Sequence, residues 1–242
     1  MSESVSLTIN GNKYTAEKGA YVLQVAREHG IRIPTLCDHE AIEPYGACRL
    51  CIVEVTRGTR TRIVTSCLYP VEEGIAVQTD SPRVVKNRKM LLNLLLARCS
   101  ENPVIKELAK EYGIEQPPFG EEYWEKHNCI VCGLCVRACE QVVGVSAISL
   151  VNRGISKEPK PPFLEKAQAC IGCGSCYYVC PTGAVKLEDK NGMRHIYNWK
   201  VSFKLKKCVK CGIQWAPEAQ LAYIRKKMGL PADFFEICPN CR

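Results

Sequence analysis

The chain has 242 residues, a formal charge of +8 from 33 Lys and Arg against 25 Asp and Glu, and 17 cysteines. Its best apolar run, Met90 to Ala97, contains Asn93 and falls well short of the about 20 residues a spanning helix needs, so membrane contact would have to run through a partner. The N-terminus, MSESVSLTIN, has neither the basic nor the apolar segment of a secretion signal, and cysteines two residues apart favour metal chelation over disulfides. Bound metal implies a reducing compartment, most simply an anaerobic cytoplasm.

The first segment reads as a small sheet with one helix. Val5 to Ile9 alternates, Asn10-Gly11 is a hairpin turn, and Lys13 to Ala16 returns. Ala20 to His29 has apolar residues at helical spacing and Gly30 stops it. Cys51 to Val55, Ile63 to Ser66 and Gly74 to Gln78 read as strands, which completes a β-grasp pattern over residues 1–80. From Ser81 a helical connector is expected to residue 120. Ser81 caps a helix with Pro82 in its first turn that runs to about Arg98. A second helix spans Pro103 to Tyr112, and Gln116 to Gly120 forms a linker.

Residues 121–192 contain an internal repeat offset by 41: CIVCGLCVRAC at Cys129 and CIGCGSCYYVC at Cys170. Between the copies, Ser146 to Val151 reads as a strand and Glu158 to Phe163 as a Pro-rich loop. After Cys180 the chain turns into a strand at Pro181 to Val185. Residues 193–242 form a C-terminal module with a helix over Pro217 to Met228.

Sixteen cysteines fall into four groups of four, the number that closes an iron–sulfur cluster or a tetrahedral zinc site. In the first group the close pair Cys48 and Cys51 is expected to hold one iron and Cys37 and Cys67 the other, with zinc as the alternative. Gly46 and Ala47 let backbone N–H groups approach the sulfurs. The repeat has the C-x2-C-x2-C-x3-C run of bacterial two-cluster ferredoxins, in which the fourth cysteine serves the other cluster. Cys129, Cys132, Cys135 and Cys180 are therefore assigned to one [4Fe–4S], and Cys139, Cys170, Cys173 and Cys176 to the second. Glu140 stands where the second copy has Pro181. Cys208, Cys211, Cys238 and Cys241 make two C-x2-C pairs that suit either a zinc or a third [4Fe–4S]. Cys99 reads as a buried thiol, and His39 and His127 as surface or supporting groups. Each cluster or zinc with four thiolates carries about −2, so four of them offset the surplus of bases and weaken a nucleic-acid reading.

The motifs IPTLC, GACRLCIVEV and TSC, with the ferredoxin repeat, resemble one family from Val5 to about Cys180. It comprises the N-terminal part of the large iron–sulfur subunit of respiratory complex I, the diaphorase small subunit of NAD-reducing hydrogenases, and the iron–sulfur subunits of bifurcating [FeFe]-hydrogenases and transhydrogenases. The resemblance implies a [2Fe–2S] cluster on Cys37, Cys48, Cys51 and Cys67. The family's next cluster, on one His and three Cys, has no counterpart here, since Met90 to Gly113 offers only Cys99.

No nucleotide-binding glycine motif, P-loop or radical-SAM motif is present, so a non-catalytic component is expected. The reading is an α+β electron-transfer subunit of a cytoplasmic NAD(P)-linked hydrogenase, formate or aldehyde oxidoreductase, or bifurcating transhydrogenase. Its partners, implied by the resemblance, are a flavin- and NAD(P)-binding subunit, a thioredoxin-like [2Fe–2S] subunit, a catalytic subunit and soluble ferredoxin. A free-standing polyferredoxin carrier and a multi-zinc nucleic-acid-binding protein are the rival readings.

Overall fold

The computed structural model describes residues 3–119 and 127–242, so Gly120 of the expected linker lies outside the described residues. The chain divides into two compact units, 1–132 and 133–242.

In the first unit, β1 (Ser4–Ile9) and β2 (Asn12–Glu17) pair around Asn10-Gly11, both with positive φ as a tight hairpin requires. β3 (Ile52–Arg57), β4 (Arg60–Thr65) and β5 (Ala76–Gln78) complete a five-stranded sheet of order β2-β1-β5-β3-β4. Only β1 and β5 run parallel, which is the β-grasp arrangement. Alternation puts Val5, Leu7 and Ile9 on the inner face, against Val22, Leu23, Val25 and Ala26 of α1 (Val22–Glu28). Each such aliphatic, fully buried, contributes about 1.5–3 kcal/mol.

No side chain caps α1. Its first N–H groups instead donate to loop carbonyls, Val22 N to Tyr69 O (3.0 Å) and Leu23 N to Ser66 O (3.1 Å). The helix start is thereby tied to the loop that carries Cys67.

α2 (Pro82–Arg98) begins as expected, with the Ser81 hydroxyl accepting from Val84 N. α3 (Pro103–Glu111) is capped by Asn102, which accepts from Val104 N and Ile105 N. The connector is pinned to the sheet by Arg88, whose side chain is only 1% exposed. Its guanidinium donates to Leu50 O (3.0 Å), Ile52 O (2.6 Å), Thr79 O (3.1 Å) and the Tyr112 hydroxyl (3.0 Å). Five fixed donors suit arginine, and not lysine, to such a carbonyl cluster.

In the second unit α4 (Leu134–Arg137) and α5 (Ser175–Tyr178) are the short helices of the two repeats. They differ where Glu140 replaces proline. Pro181 has no N–H to continue a helix and α5 stops early, whereas α4 runs on as a π-helical turn over Ala138–Val143.

Two expectations change. Glu158–Lys160 is not loop but strand β7, paired with β6 (Ser149–Val151); the outward edges of a two-stranded ribbon need no N–H from Pro159. The strand after Cys180 begins later, as β8 (Leu187–Lys190), and turns at Asn191-Gly192 into β9 (Met193–Ile196). With β10 (Val201–Lys207) and β11 (Gln214–Pro217) these form a four-stranded sheet in which the expected boundary at residue 192 falls inside a hairpin. α6 (Glu218–Met228) follows where a helix is expected. Among the described residues no helix is long and apolar enough to cross a membrane.

Candidate metal centres

The first cysteine group is set into the β-grasp core: Cys37, Cys48, Cys51 and Cys67 are all buried. Cys48 N–H donates to Cys37 Sγ (3.3 Å) and Leu36 N–H to Cys48 Sγ (3.4 Å). Ser66 bonds the Cys51 carbonyl twice, through its N–H (3.0 Å) and its hydroxyl (2.7 Å), which joins the Cys51 and Cys67 loops. Gly46, at φ +69°, lies so close to Leu68 that a Cβ would sit 2.6 Å from its side chain.

The thiols neighbour one another in an unexpected pairing. Cys37 lies against Cys48 and Cys51 against Cys67, instead of Cys48 against Cys51. The bond from Cys37, with N–H donors from Leu36 and Leu50, holds Cys48 down to about 6, and that from Cys67 holds Cys51 down to about 7. Their partners Cys37 and Cys67 are pushed up, first by donating to those sulfurs and then by burial. Four buried thiols with N–H groups aimed at sulfur fit a cluster that must be anionic and dry.

In the second unit Cys139, Cys170, Cys173 and Cys176 line one enclosed cavity, walled by Ile148, Ile196 and Trp199. The fourth cysteine of the first copy thus joins three from the second. Burial pushes Cys170 up to about 11 and Cys176 up to about 12. The copies also share N–H···S bonds. Val131 N donates to Cys129 Sγ and Gly172 N to Cys170 Sγ, each at 3.4 Å. Ala147 N donates to Cys139 Sγ (3.3 Å) and Ala184 N to Cys180 Sγ (3.2 Å).

Sequence reasoning missed three residues around these loops. Trp199 Nε1–H donates to Cys176 Sγ at 3.2 Å. Arg194 forms a bidentate pair with Asp189 (2.8 Å for each bond) and donates to Gly172 O (3.3 Å). Arg98 Nε–H donates to Cys129 O (3.0 Å) in the first unit. No spacing rule announces them, because each reaches its target across the fold. Cys99 is fully buried, as expected, and His39 is half-buried and accepts from Ala41 N.

The last group closes much more tightly. The Sγ atoms of Cys208, Cys211, Cys238 and Cys241 all lie within 4.8 Å of one another.

Residues 2–82 match the model of the 2Fe-2S iron-sulfur cluster binding domain, and residues 163–214 that of the 4Fe-4S dicluster domain. The NADPH-Fe(3+) oxidoreductase subunit alpha of Geobacter sulfurreducens is 31% identical over 207 residues, 75% of this chain and 24% of that protein. The NADP-reducing hydrogenase subunit HndD of Solidesulfovibrio fructosivorans is 32% identical over 226 residues, 81% of this chain and 37% of that one. The chain is a homologue of NAD(P)-linked oxidoreductase subunits. A chain in the crystal structure of NAD+-reducing [NiFe]-hydrogenase in the H2-reduced state superposes with a TM-score of 0.65 at 27% identity, over 74% of this chain and 86% of that one. The matches span only about a quarter to somewhat over a third of these curated relatives.

Proposed function

We propose that the protein is an electron-transfer subunit of a multi-subunit NAD(P)-linked oxidoreductase, relaying single electrons between a flavin- and nucleotide-binding subunit and a catalytic or ferredoxin site. The observation that carries this reading is the enclosed cavity on which Cys139 converges with Cys170, Cys173 and Cys176. Iron–sulfur clusters bound in these cages supply reversible one-electron chemistry. The chain itself supplies thiolate ligands, N–H donors to their sulfurs, and apolar walls that keep water away.

The ligand sets proposed are Cys37, Cys48, Cys51 and Cys67 for a [2Fe–2S], with Cys37 and Cys48 on one iron and Cys51 and Cys67 on the other. Cys139, Cys170, Cys173 and Cys176 serve one [4Fe–4S]. Cys129, Cys132, Cys135 and Cys180 serve the other, by the equivalence of the repeats. The match over residues 2–82 supports the β-grasp [2Fe–2S] domain, and that over residues 163–214, which takes in the second repeat, supports a [4Fe–4S] region.

The names of the relatives support a partner that handles NADH or NADPH. The test is made on anaerobically purified full chain. Dithionite should bleach its visible absorption, whereas NADH and NADPH should do so only once a flavin-bearing partner is added. Bleaching by NAD(P)H in flavin-free protein would refute the relay role. In a second arm, Cys139→Ala should alter the EPR signal of the cluster held by Cys170, Cys173 and Cys176. Loss confined to the other cluster would overturn the crossed assignment.

A further inference from the structure

We propose that Cys208, Cys211, Cys238 and Cys241 hold a single tetrahedral Zn²⁺ and that this site is a redox-silent staple, not a further cubane. The proposal deepens the electron-transfer reading and rests on it for assigning the iron to the other three cysteine groups.

Distance decides between the two occupants. Zinc–thiolate bonds of about 2.3 Å in a tetrahedron put the sulfurs about 3.8 Å apart. A cubane carries each thiolate on a different iron and spreads them to roughly 6 Å. Here all four Sγ atoms lie within 4.8 Å of one another, and Cys211 and Cys238 are 3.7 Å apart. Among the described residues this is the one set of His, Cys, Asp or Glu side chains gathered closely enough for a single ion.

The local backbone agrees. Cys208 and Cys211 sit in the turn between β10 and β11, closed by Cys208 N to Ile213 O (2.9 Å) and Gly212 N to Cys208 O (3.0 Å). Cys238 N–H donates to Cys208 Sγ (3.3 Å), and Val209 N–H to Glu236 O (3.0 Å) joins this turn to the tail. Cys238 and Cys241 stand on a second turn, with Cys241 N bonded to Cys238 O (3.0 Å). Two such knuckles facing each other are the frame of a structural zinc site. Lys210 Nζ reaches Cys241 O (3.2 Å), which places a cation beside the anionic tetrathiolate.

Residues Gly229 to Arg242 contain only one short 3-10 turn and bring few apolar side chains into a core. The ion would therefore fasten a tail that burial alone does not hold. Binding it releases thiol protons and moves no electron.

The test is elemental analysis of the full chain prepared anaerobically, with X-ray absorption at the zinc edge. The expected result is one zinc per chain with four sulfurs at about 2.3 Å, beside about ten irons. Cys211 is exposed, so Cys211→Ala leaves the core intact; it should lose the zinc and keep the iron and its EPR signals. Wild-type protein without zinc, or Cys211→Ala losing iron instead of zinc, would overturn the proposal. Iron well below ten per chain with the zinc and its sulfur shell intact would instead sink the relay reading and leave this site standing.

Discussion

The first and last cysteine groups each bring four thiols together in different surroundings. The N-terminal cage is built into a folded core, with every ligand buried, and it is braced from outside by a helix through Arg88. The C-terminal set hangs on two turns, with Cys208 and Cys238 buried, Cys211 exposed and Cys241 half-buried, and all four sulfurs gather within 4.8 Å, where the N-terminal thiols meet in two pairs. Where secondary structure and burial fix the loops, a protein can hold open a cage for a group several atoms wide. Where they do not, the thiols gather to the span of one ion, and the ion supplies the order.

Arg88→Met should break the contrast most severely. It strands the buried carbonyls of Leu50, Ile52 and Thr79 at once, and an unsatisfied buried acceptor costs about 1–3 kcal/mol. We expect a loss of about 3–5 kcal/mol in anaerobic urea unfolding of the first unit. The [2Fe–2S] EPR signal should weaken while the zinc content stays unchanged. Arg88→Lys should recover only part, since an ammonium lacks the forked donors.

Gly172→Ala should cost about 1–3 kcal/mol, because its backbone sits at φ +76° and a Cβ would meet the Phe203 ring at 2.5 Å. The equivalent position in the other copy is Val131, at φ +55°, a conformation unfavourable for a β-branched residue. Val131→Gly should accordingly stabilise by up to about 1 kcal/mol in thermal unfolding. Because the two substitutions run in opposite directions, opposite signs would show that both copies hold the same left-handed backbone at this position.

Trp199→Phe removes one N–H···S bond from Cys176, worth roughly 0.5–1.5 kcal/mol, and keeps most of the cavity wall. Hydrogen bonds to sulfur favour the more reduced cluster, so the midpoint potential of that [4Fe–4S] should fall in an EPR titration while the [2Fe–2S] potential holds.

The smallest effect concerns pH. Arg194 holds the Asp189 carboxyl below its ordinary 3.8, so its folded-state pKa is lower than its unfolded one. The pair therefore stabilises above about pH 4 and loses its contribution as pH falls through the folded value. Asp189 is partly exposed, which limits the gain to under about 1 kcal/mol. The stability difference between wild type and Asp189→Asn should be flat from pH 8 to 5 and shrink below about 4.

Cysteine spacing, the Asn10-Gly11 turn, the Ser81-Pro82 helix start and the internal repeat were all legible in the chain, because each depends on neighbours within a few residues or on a repeat frame. Asn191-Gly192 carried the same hairpin signal as Asn10-Gly11. The strand before it, LEDK, is mostly charged and exposed and gives no alternation to support it, so the C-terminal sheet was hidden. Which thiols neighbour one another in the first cage, Cys37 with Cys48 and Cys51 with Cys67, did not follow their closeness in sequence. The roles of Arg88, Arg194 and Trp199 come from contacts spanning 38, 22 and 23 residues. Sequence alone determined how the cysteines group and which thiols were available. Tertiary structure decided how far apart those thiols stand, because sulfur spacing is set by packing between distant segments, and that spacing separates a cluster cage from a single-ion site.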